Sequence, residues 1–107
     1  MRLTEQSCGP IEAGAEPMSP EEASELASHV PEWGLREGGL ERDLTFEGFS
    51  EAMRFVNAVA ELAREEDHHP RICVDYDTVE LSLTTHSIGG LSMNDFIMAA
   101  KIDELLQ

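Results

Sequence analysis

Three of the four histidines lie in two short segments where their side chains could act together. His68 and His69 are adjacent and are followed by Pro70, and His86 comes shortly before a Gly-Gly pair. Histidine titrates near neutral pH, so histidines that share a cleft can supply both a general acid and a general base. His29 has no such neighbours and is expected to lie on the surface. The pattern predicts proton-transfer chemistry at a site that contains His68, His69 and His86.

Hydrophobic periodicity divides the chain before these histidines into a helix, two strands and a longer helix. The predicted ranges are 20–30, 33–35, 40–47 and 49–67. Ser19 and Glu22 form a capping box at the start of the first helix, and Gly38-Gly39 is a tight turn between the strands. The longer helix is expected to end just before the two adjacent histidines, because Pro70 disfavours helical geometry at the preceding residue.

Two further strands and a third helix are predicted after the adjacent histidines, over residues 72–76, 79–86 and 93–106. Asp77-Thr78 is predicted as the turn between the strands, and Tyr76 is expected in the core or in the wall of a site. Ser92 and Asp95 form a second capping box at the start of the third helix. The order α-β-β-α-β-β-α with tight hairpins predicts an α+β fold, a four-stranded antiparallel sheet with three helices packed on one face.

Length and charge limit the classes of protein to which the chain can belong. Its 107 residues suffice for one domain with a modest core, with residues 1–17 as a flexible lead-in and residues 18–107 as the folded domain. A formal net charge of −15 gives a surface that repels phosphate backbones, which argues against nucleic-acid binding. No apolar run is long enough to span a membrane, and the first residues lack a secretory signal pattern. A cytoplasmic protein is expected.

The residues around the three histidines resemble those of the pterin-4a-carbinolamine dehydratases. The residues that carry the resemblance, at the spacing of the family's signature, are Asp67, His68, His69, Pro70, Tyr76, His86 and Asp95. Segments 45–49 and 85–91 are also similar to the family, and segment 94–100 is similar to its bacterial members in particular. The similarity extends over residues 18–106, nearly the whole predicted domain.

The resemblance implies an enzyme that removes water from a 4a-hydroxytetrahydropterin, such as 4a-hydroxytetrahydrobiopterin, and yields the quinonoid dihydropterin. It implies that His68 and His86 flank the reacting centre as an acid–base pair and that His69 binds and orients the substrate. The predicted contacts with the rim of the pterin are Asp67, Thr84, Thr85 and Ser87. The pterin is the substrate, and neither a metal nor a redox cofactor is expected. The family further implies a homodimer or homotetramer, and a phenylalanine hydroxylase whose pterin is recycled.

Three residues are candidates for a supporting role near the first histidine. The capping box explains Asp95, and the resemblance adds a role in supporting catalysis. Family members usually carry an acidic or similar polar residue four positions before the first histidine, where this chain has Arg64. Residues four apart on a helix share a face, so Arg64 is predicted to lie beside His68. Glu65, three positions before His68, is the candidate to take over the acidic residue's role.

Three alternatives stay open. A metal site is disfavoured, because adjacent residues on a helix point about 100° apart, so His68 and His69 would not readily bind one ion. An interaction module would bind a partner protein and leave the pocket idle. By resemblance, some animal relatives also act as dimerisation cofactors of a homeodomain transcription factor. A role in molybdopterin metabolism is the third alternative.

Overall fold

The computed structural model describes residues 2–12, 14–36 and 38–106. The helices in these ranges are α1 (Pro20–Ala27), α2 (Phe49–Glu66) and α3 (Met93–Glu104). The strands are β1 (Gly34–Arg36), β2 (Gly39–Thr45), β3 (Arg71–Asp75) and β4 (Thr78–Leu83), and short 3-10 helices occupy Leu3–Glu5 and His86–Ile88. None of the described helices is both long enough and apolar enough to cross a membrane. The predicted α+β fold and its order of helices and strands are confirmed.

The strands form one antiparallel sheet in the order β1-β2-β4-β3. β4 pairs with β2 so that Leu83 lies opposite Leu40, and Glu80 lies opposite Asp43. Successive side chains on a strand point to opposite faces, so the two leucines share one face with Leu81 and the two acidic residues share the other. All three leucines are buried, whereas Glu80 and Asp43 are exposed. The sheet therefore has one apolar face and one polar face.

Apolar side chains of α2 and α3 cover the apolar face of the sheet. The buried apolar residues of the two helices are Ala52, Phe55, Val59, Ala63, Phe96, Ile97, Met98, Ala99 and Ile102. Burying an aliphatic or aromatic side chain of this size contributes roughly 1.5–3 kcal/mol relative to leaving it exposed. The shared core fixes the end of α2, the end of β4 and the start of α3 relative to one another.

Two element ends differ from the prediction. α1 ends at Ala27 instead of residue 30, because the backbone N–H groups of residues 28–30 bond to carbonyls three residues back, in single turns. In the β3–β4 hairpin Asp75 pairs with Thr78, so the turn residues are Tyr76 and Asp77. Tyr76 has a φ of 55° and is 67% exposed. The core or wall position predicted for Tyr76 is wrong, because a two-residue hairpin turn favours positive φ and projects its side chains away from the sheet.

Residues 1–17, predicted as a flexible lead-in, make defined contacts where the structure describes them. Leu3 is 4% exposed and belongs to the same core as the residues of α3. Met18 donates its backbone N–H to the Leu91 carbonyl oxygen at 2.8 Å, just before α3. Residues 1 and 13 lie outside the described part of the chain. The flexibility of the segment and the domain boundary at residue 18 stay predictions.

Asp103, near the end of α3, connects this helix to the first hairpin. Its Oδ1 accepts hydrogen bonds from Trp33 Nε1 at 2.8 Å and from Arg42 Nη1 at 2.5 Å. Trp33 is buried, and the Arg42 side chain is only 16% exposed. Because neither donor can turn freely to water, both depend on this acceptor.

Replacing Asp103 with alanine is expected to lower the free energy of unfolding by about 1–3 kcal/mol, because a buried indole N–H and a guanidinium lose their acceptor. The exposed neighbour Glu104 provides the matched control, and Glu104→Ala is expected to change the same quantity by less than about 0.5 kcal/mol. Urea denaturation followed by circular dichroism measures both variants. Equal stabilities would contradict the role assigned to Asp103.

Candidate active site

The centre of the site is the carboxylate of Asp95, which is fully buried in the first turn of α3. The predicted capping box is present, and Ser92 donates its backbone N–H to Asp95 Oδ2 at 2.9 Å. Thr85, just beyond β4, donates its hydroxyl to the same oxygen at 2.8 Å, and its Oγ1 lies 2.7 Å from Ser92 Oγ. The other carboxylate oxygen, Oδ1, lies 2.6 Å from Nε2 of His68. Asp95 therefore serves both as a helix cap and as the partner of His68.

The end of α2 brings His68 to this carboxylate. The helix ends at Glu66, and Asp67 takes the left-handed conformation with a φ of 53° and a ψ of 41°. Aspartate is among the residues that adopt this conformation at least cost. The backbone N–H groups of Asp67 and His68 both bond to the carbonyl oxygen of Ala63, the latter at 3.3 Å. The chain thus turns sharply away from the helix axis, and His68 contacts the start of α3.

The contact with Asp95 selects one arrangement of protons on the His68 ring. A carboxylate only accepts hydrogen bonds, so Nε2 carries the proton and Nδ1 of the neutral ring has a free lone pair. Within residues 2–12, 14–36 and 38–106, the only hydrogen bond of the ring uses Nε2. No buried side-chain nitrogen or oxygen lacks a partner there, so the unpaired Nδ1 is accessible from solvent. The His68 side chain is 12% exposed, so its environment is largely closed to water. This arrangement suits a histidine that transfers a proton at Nδ1 while a carboxylate holds the ring.

A cleft of about 350 Å³ lies beside His68. Four of the predicted site residues line it, namely Asp67, His68, Thr85 and Ser87. The other lining residues are Cys8, Gly9, Pro10, Ile11, Glu66 and Asn94. Its volume is at the lower end of the range that small-molecule sites occupy, roughly 300–1,000 Å³.

The remaining predicted site residues lie outside this cleft. Thr84 and His86 line a second cavity, of about 590 Å³, together with Arg36 and Glu41 at the polar face of the sheet. Thr84 Oγ1 donates to a backbone carbonyl oxygen, that of residue 38, at 2.5 Å. His69 is exposed and lines neither cavity. The structure thus brings together five predicted residues, the four in the cleft and Asp95, which bonds to His68 and Thr85. The roles of His69 and His86 stay predictions.

Neither Arg64 nor Glu65 forms a hydrogen bond or an ion pair with His68, whose ring bonds to Asp95. Arg64 is exposed on α2 and forms an ion pair with Glu61, one turn earlier. Glu65 is also exposed. The prediction that Arg64 shares a helix face with His68 is wrong, because α2 ends at Glu66 and the left-handed residue that follows breaks the helical spacing.

The sequence interpretation missed a second polar cluster beside the cleft. Glu66 Oε1 accepts from the Cys8 backbone N–H at 2.8 Å, and Glu66 Oε2 accepts from Lys101 Nζ at 2.7 Å. The hydrogen bond from Lys101, followed by that from Cys8, lowers the pKa of the Glu66 carboxyl group. Asn94 exchanges two hydrogen bonds with the backbone of Gly9, at 3.1 and 2.8 Å. The only signal of this cluster in the sequence was that Lys101 is the sole lysine. This fact does not indicate which residue Lys101 contacts.

The sequence matches the model of a protein family described as Pterin 4 alpha carbinolamine dehydratase over residues 16–105. A protein of Methylococcus capsulatus whose name assigns it to pterin-4-alpha-carbinolamine dehydratase is 45% identical, over 96% of this chain and 92% of the relative. A protein of Nitrosomonas eutropha with the same assignment is 44% identical, over 97% of this chain and 93% of the relative. The similarity therefore includes nearly all of each chain.

Solved structures agree with the sequence comparison. A structure described as a transcriptional coactivator/pterin dehydratase from Brucella melitensis superimposes with a TM-score of 0.81 at 28% identity, over 86% of this chain and all of that one. A pterin dehydratase-like protein described as a RuBisCO assembly factor in the alpha-carboxysome has a TM-score of 0.57 at 22% identity, over 68% of this chain and 84% of that one. The second similarity shows a shared fold alone.

The contacts of Glu66 predict a pH dependence of stability. Because the folded-state pKa of Glu66 is lowered, its contribution is present above the ordinary glutamate pKa of about 4.3 and is lost as the pH falls through the folded-state pKa. Glu66→Gln is expected to be less stable than the wild type at neutral pH by about 1–3 kcal/mol, and the difference should shrink in acid. Urea denaturation at several pH values measures it.

The exposed neighbour Glu65 supplies the control for this measurement. Glu65→Gln removes one negative charge at almost the same place and is expected to follow the wild-type stability at every pH. A stability difference between wild type and Glu66→Gln that does not change with pH would contradict the account of the Glu66 contacts.

Proposed function

The chain belongs to the pterin 4 alpha carbinolamine dehydratase family, and we propose that it removes water from 4a-hydroxytetrahydropterins in the cleft beside His68. The observation that carries the proposal is the 2.6 Å contact between Nε2 of His68, which lines this cleft, and the fully buried Asp95 carboxylate. A carboxylate that holds a histidine in one tautomer leaves the other ring nitrogen ready for proton transfer.

The reaction needs two proton transfers and no change of oxidation state. The lone pair on N5 of the pterin expels the hydroxyl group from C4a while an acid protonates the departing oxygen, and water leaves. The cationic pterin then loses a proton to a base, which gives the quinonoid dihydropterin. Each well-placed transfer accelerates a reaction by about 10²–10⁴-fold.

We assign one of these transfers to Nδ1 of His68. If Nδ1 takes up a proton, the positive charge of the ring lies beside the Asp95 carboxylate, which holds the ring in place through the transfer. We assign the second transfer to His86, which is exposed and directly follows Thr85, a residue that lines the cleft. An exposed ring can turn toward a substrate that extends beyond the cleft. His69, exposed at the same end of α2, remains the candidate for orienting the substrate.

The polar residues at the rim suit the edge of a pterin. Asp67 is exposed at the mouth of the cleft, where its carboxylate can accept from the amide and guanidine-like N–H groups of the pterin ring. Ser87 lines the same side and offers a hydroxyl. Thr85 has a different role from the one predicted, because its hydroxyl is already bonded to Asp95 and Ser92. It therefore positions the carboxylate.

The proposal extends to the setting of the reaction. We propose a metal-free reaction, because dehydration needs only two proton transfers and histidine side chains can supply both. The reaction would regenerate the pterin of an aromatic amino-acid hydroxylase, such as phenylalanine hydroxylase, in the cytoplasm. A homodimer or homotetramer belongs to the same proposal.

Dehydration of freshly generated 4a-hydroxytetrahydropterin, followed by ultraviolet absorbance, tests the function. The wild type is expected to accelerate the reaction, and His68→Ala and His86→Ala are each expected to reduce kcat/KM by about 10²–10⁴-fold through loss of a proton transfer. Asp95→Asn is expected to reduce kcat through a misplaced His68 ring. His29→Ala is the control, because His29 is an exposed histidine that lines neither cavity.

Two outcomes would contradict the proposal in different ways. A folded wild-type protein that does not accelerate the reaction would contradict the enzyme and leave the interaction module or the molybdopterin-related role. Acceleration that survives in His68→Ala would contradict the role of His68 while leaving the activity in place.

A further inference from the structure

The N-terminal segment forms one side of the His68 cleft. Four consecutive residues, Cys8, Gly9, Pro10 and Ile11, line it together with residues from the end of α2, from the segment after β4 and from the start of α3. These four residues form the N-terminal wall. They precede residue 16, where the match to the family model begins. We infer that the N-terminal wall is part of the substrate site and determines which pterins fit, an inference that rests on the proposed function.

Two side chains hold the N-terminal wall by its backbone. Glu66 accepts from the Cys8 N–H at 2.8 Å, and Lys101 fixes the other oxygen of Glu66 at 2.7 Å. The Glu66 and Lys101 side chains are 11% and 15% exposed, so this pair is largely shielded from solvent. Asn94 is buried and bonds to both the N–H and the carbonyl oxygen of Gly9. Three hydrogen bonds with shielded side chains thus define the position of Cys8 and Gly9.

These attachment points are next to the catalytic residues in the sequence. Glu66 lies two positions before His68, and Asn94 directly precedes Asp95. The N-terminal wall therefore connects the end of α2 with the start of α3. The contact between His68 and Asp95 joins the same two regions. A loose tail would not contact both elements at these positions. The hydrogen bonds of Glu66 and Asn94 therefore fix the position of the wall relative to His68 and Asp95.

The chemistry of the N-terminal wall indicates which part of the substrate it contacts. Burial, followed by the charge of Glu66, raises the pKa of the Cys8 thiol to about 12, so the thiol stays neutral. The N–H groups of Cys8 and Gly9 are already bonded to Glu66 and Asn94. Pro10 has no N–H, and Ile11 adds an apolar side chain. The wall is thus uncharged and largely apolar, whereas Asp67 and Ser87 add polar groups to the rest of the cleft lining.

An uncharged wall suits the flat ring and the C6 substituent of a pterin, while the polar rim suits its amide edge. Ile11 is half-buried at the end of the wall, where a shorter side chain would widen the cleft. Removing methylene groups from such a contact weakens binding of the fitting ligand and reduces discrimination between ligands of different size. Ile11 is accordingly the specificity-determining residue of the wall.

Steady-state kinetics with two substrates test the inference, the 4a-hydroxy derivatives of 6-methyltetrahydropterin and of tetrahydrobiopterin. Ile11→Ala is expected to raise KM about tenfold for the tetrahydrobiopterin derivative, which has the longer C6 substituent, and to leave kcat close to the wild-type value. The ratio of kcat/KM between the two substrates is therefore expected to change. Glu12→Ala is the matched control, because Glu12 is the next residue, is exposed and does not line the cleft. Binding of 7,8-dihydrobiopterin, measured by fluorescence, gives a second readout that does not depend on turnover.

The outcomes separate this inference from the proposed function. An active wild type with unchanged KM, substrate ratio and pterin affinity in Ile11→Ala would overturn the inference and leave the function intact. A fall in kcat that is equal for both substrates, with unchanged KM, would show a merely structural segment and would also overturn it. An inactive wild type would overturn the proposed function and, with it, the inference that rests on it.

Discussion

A buried carboxylate must be satisfied by donors, and the structure of the site depends on how the chain meets this requirement for Asp95. Its donors come from three places, His68 after α2, Thr85 after β4 and Ser92 before α3. Leaving a buried charge without partners costs several kcal/mol. Burial of the Asp95 carboxylate therefore requires the ends of the three elements to stay together. The same hydrogen bonds set the proton arrangement on the His68 ring. Stability and catalytic geometry therefore rest on one side chain.

The position of the site at element ends explains how polar chemistry coexists with a small apolar core. Within β4 the inward residues are leucine and valine, and the strand ends before Thr85 introduces the first buried hydroxyl. Beyond the end of β4, Thr85 and Ser87 line the His68 cleft, and Thr84 and His86 line the second cavity. The N-terminal wall forms one side of the His68 cleft. Glu66, which also bonds to Lys101, holds the wall in this position. Polar groups thus surround the core without interrupting it.

Periodicity and capping signals predicted the order of elements and the capping box at Asp95, because these depend on residues close in the sequence. The same signals could not predict contacts across the chain. Cys8 and Glu66 are 58 positions apart, and nothing in either residue indicates the other. The helical spacing that placed Arg64 beside His68 failed because one left-handed residue ends α2. The family resemblance supplied the candidate residues, and the structure was needed to show which of them share a cleft.

The proposed catalytic geometry requires that Asp95 holds His68 through Nε2 and leaves Nδ1 for the substrate. Long-range ¹H–¹⁵N correlation NMR of the histidine side chains, assigned with His68→Ala and recorded through a pH titration, measures this directly. We expect the neutral ring of His68 to carry its proton on Nε2 throughout, whereas the exposed ring of His29 shows the averaged signals of exchanging tautomers. A neutral His68 ring with its proton on Nδ1, or with averaged signals like those of His29, would contradict the account.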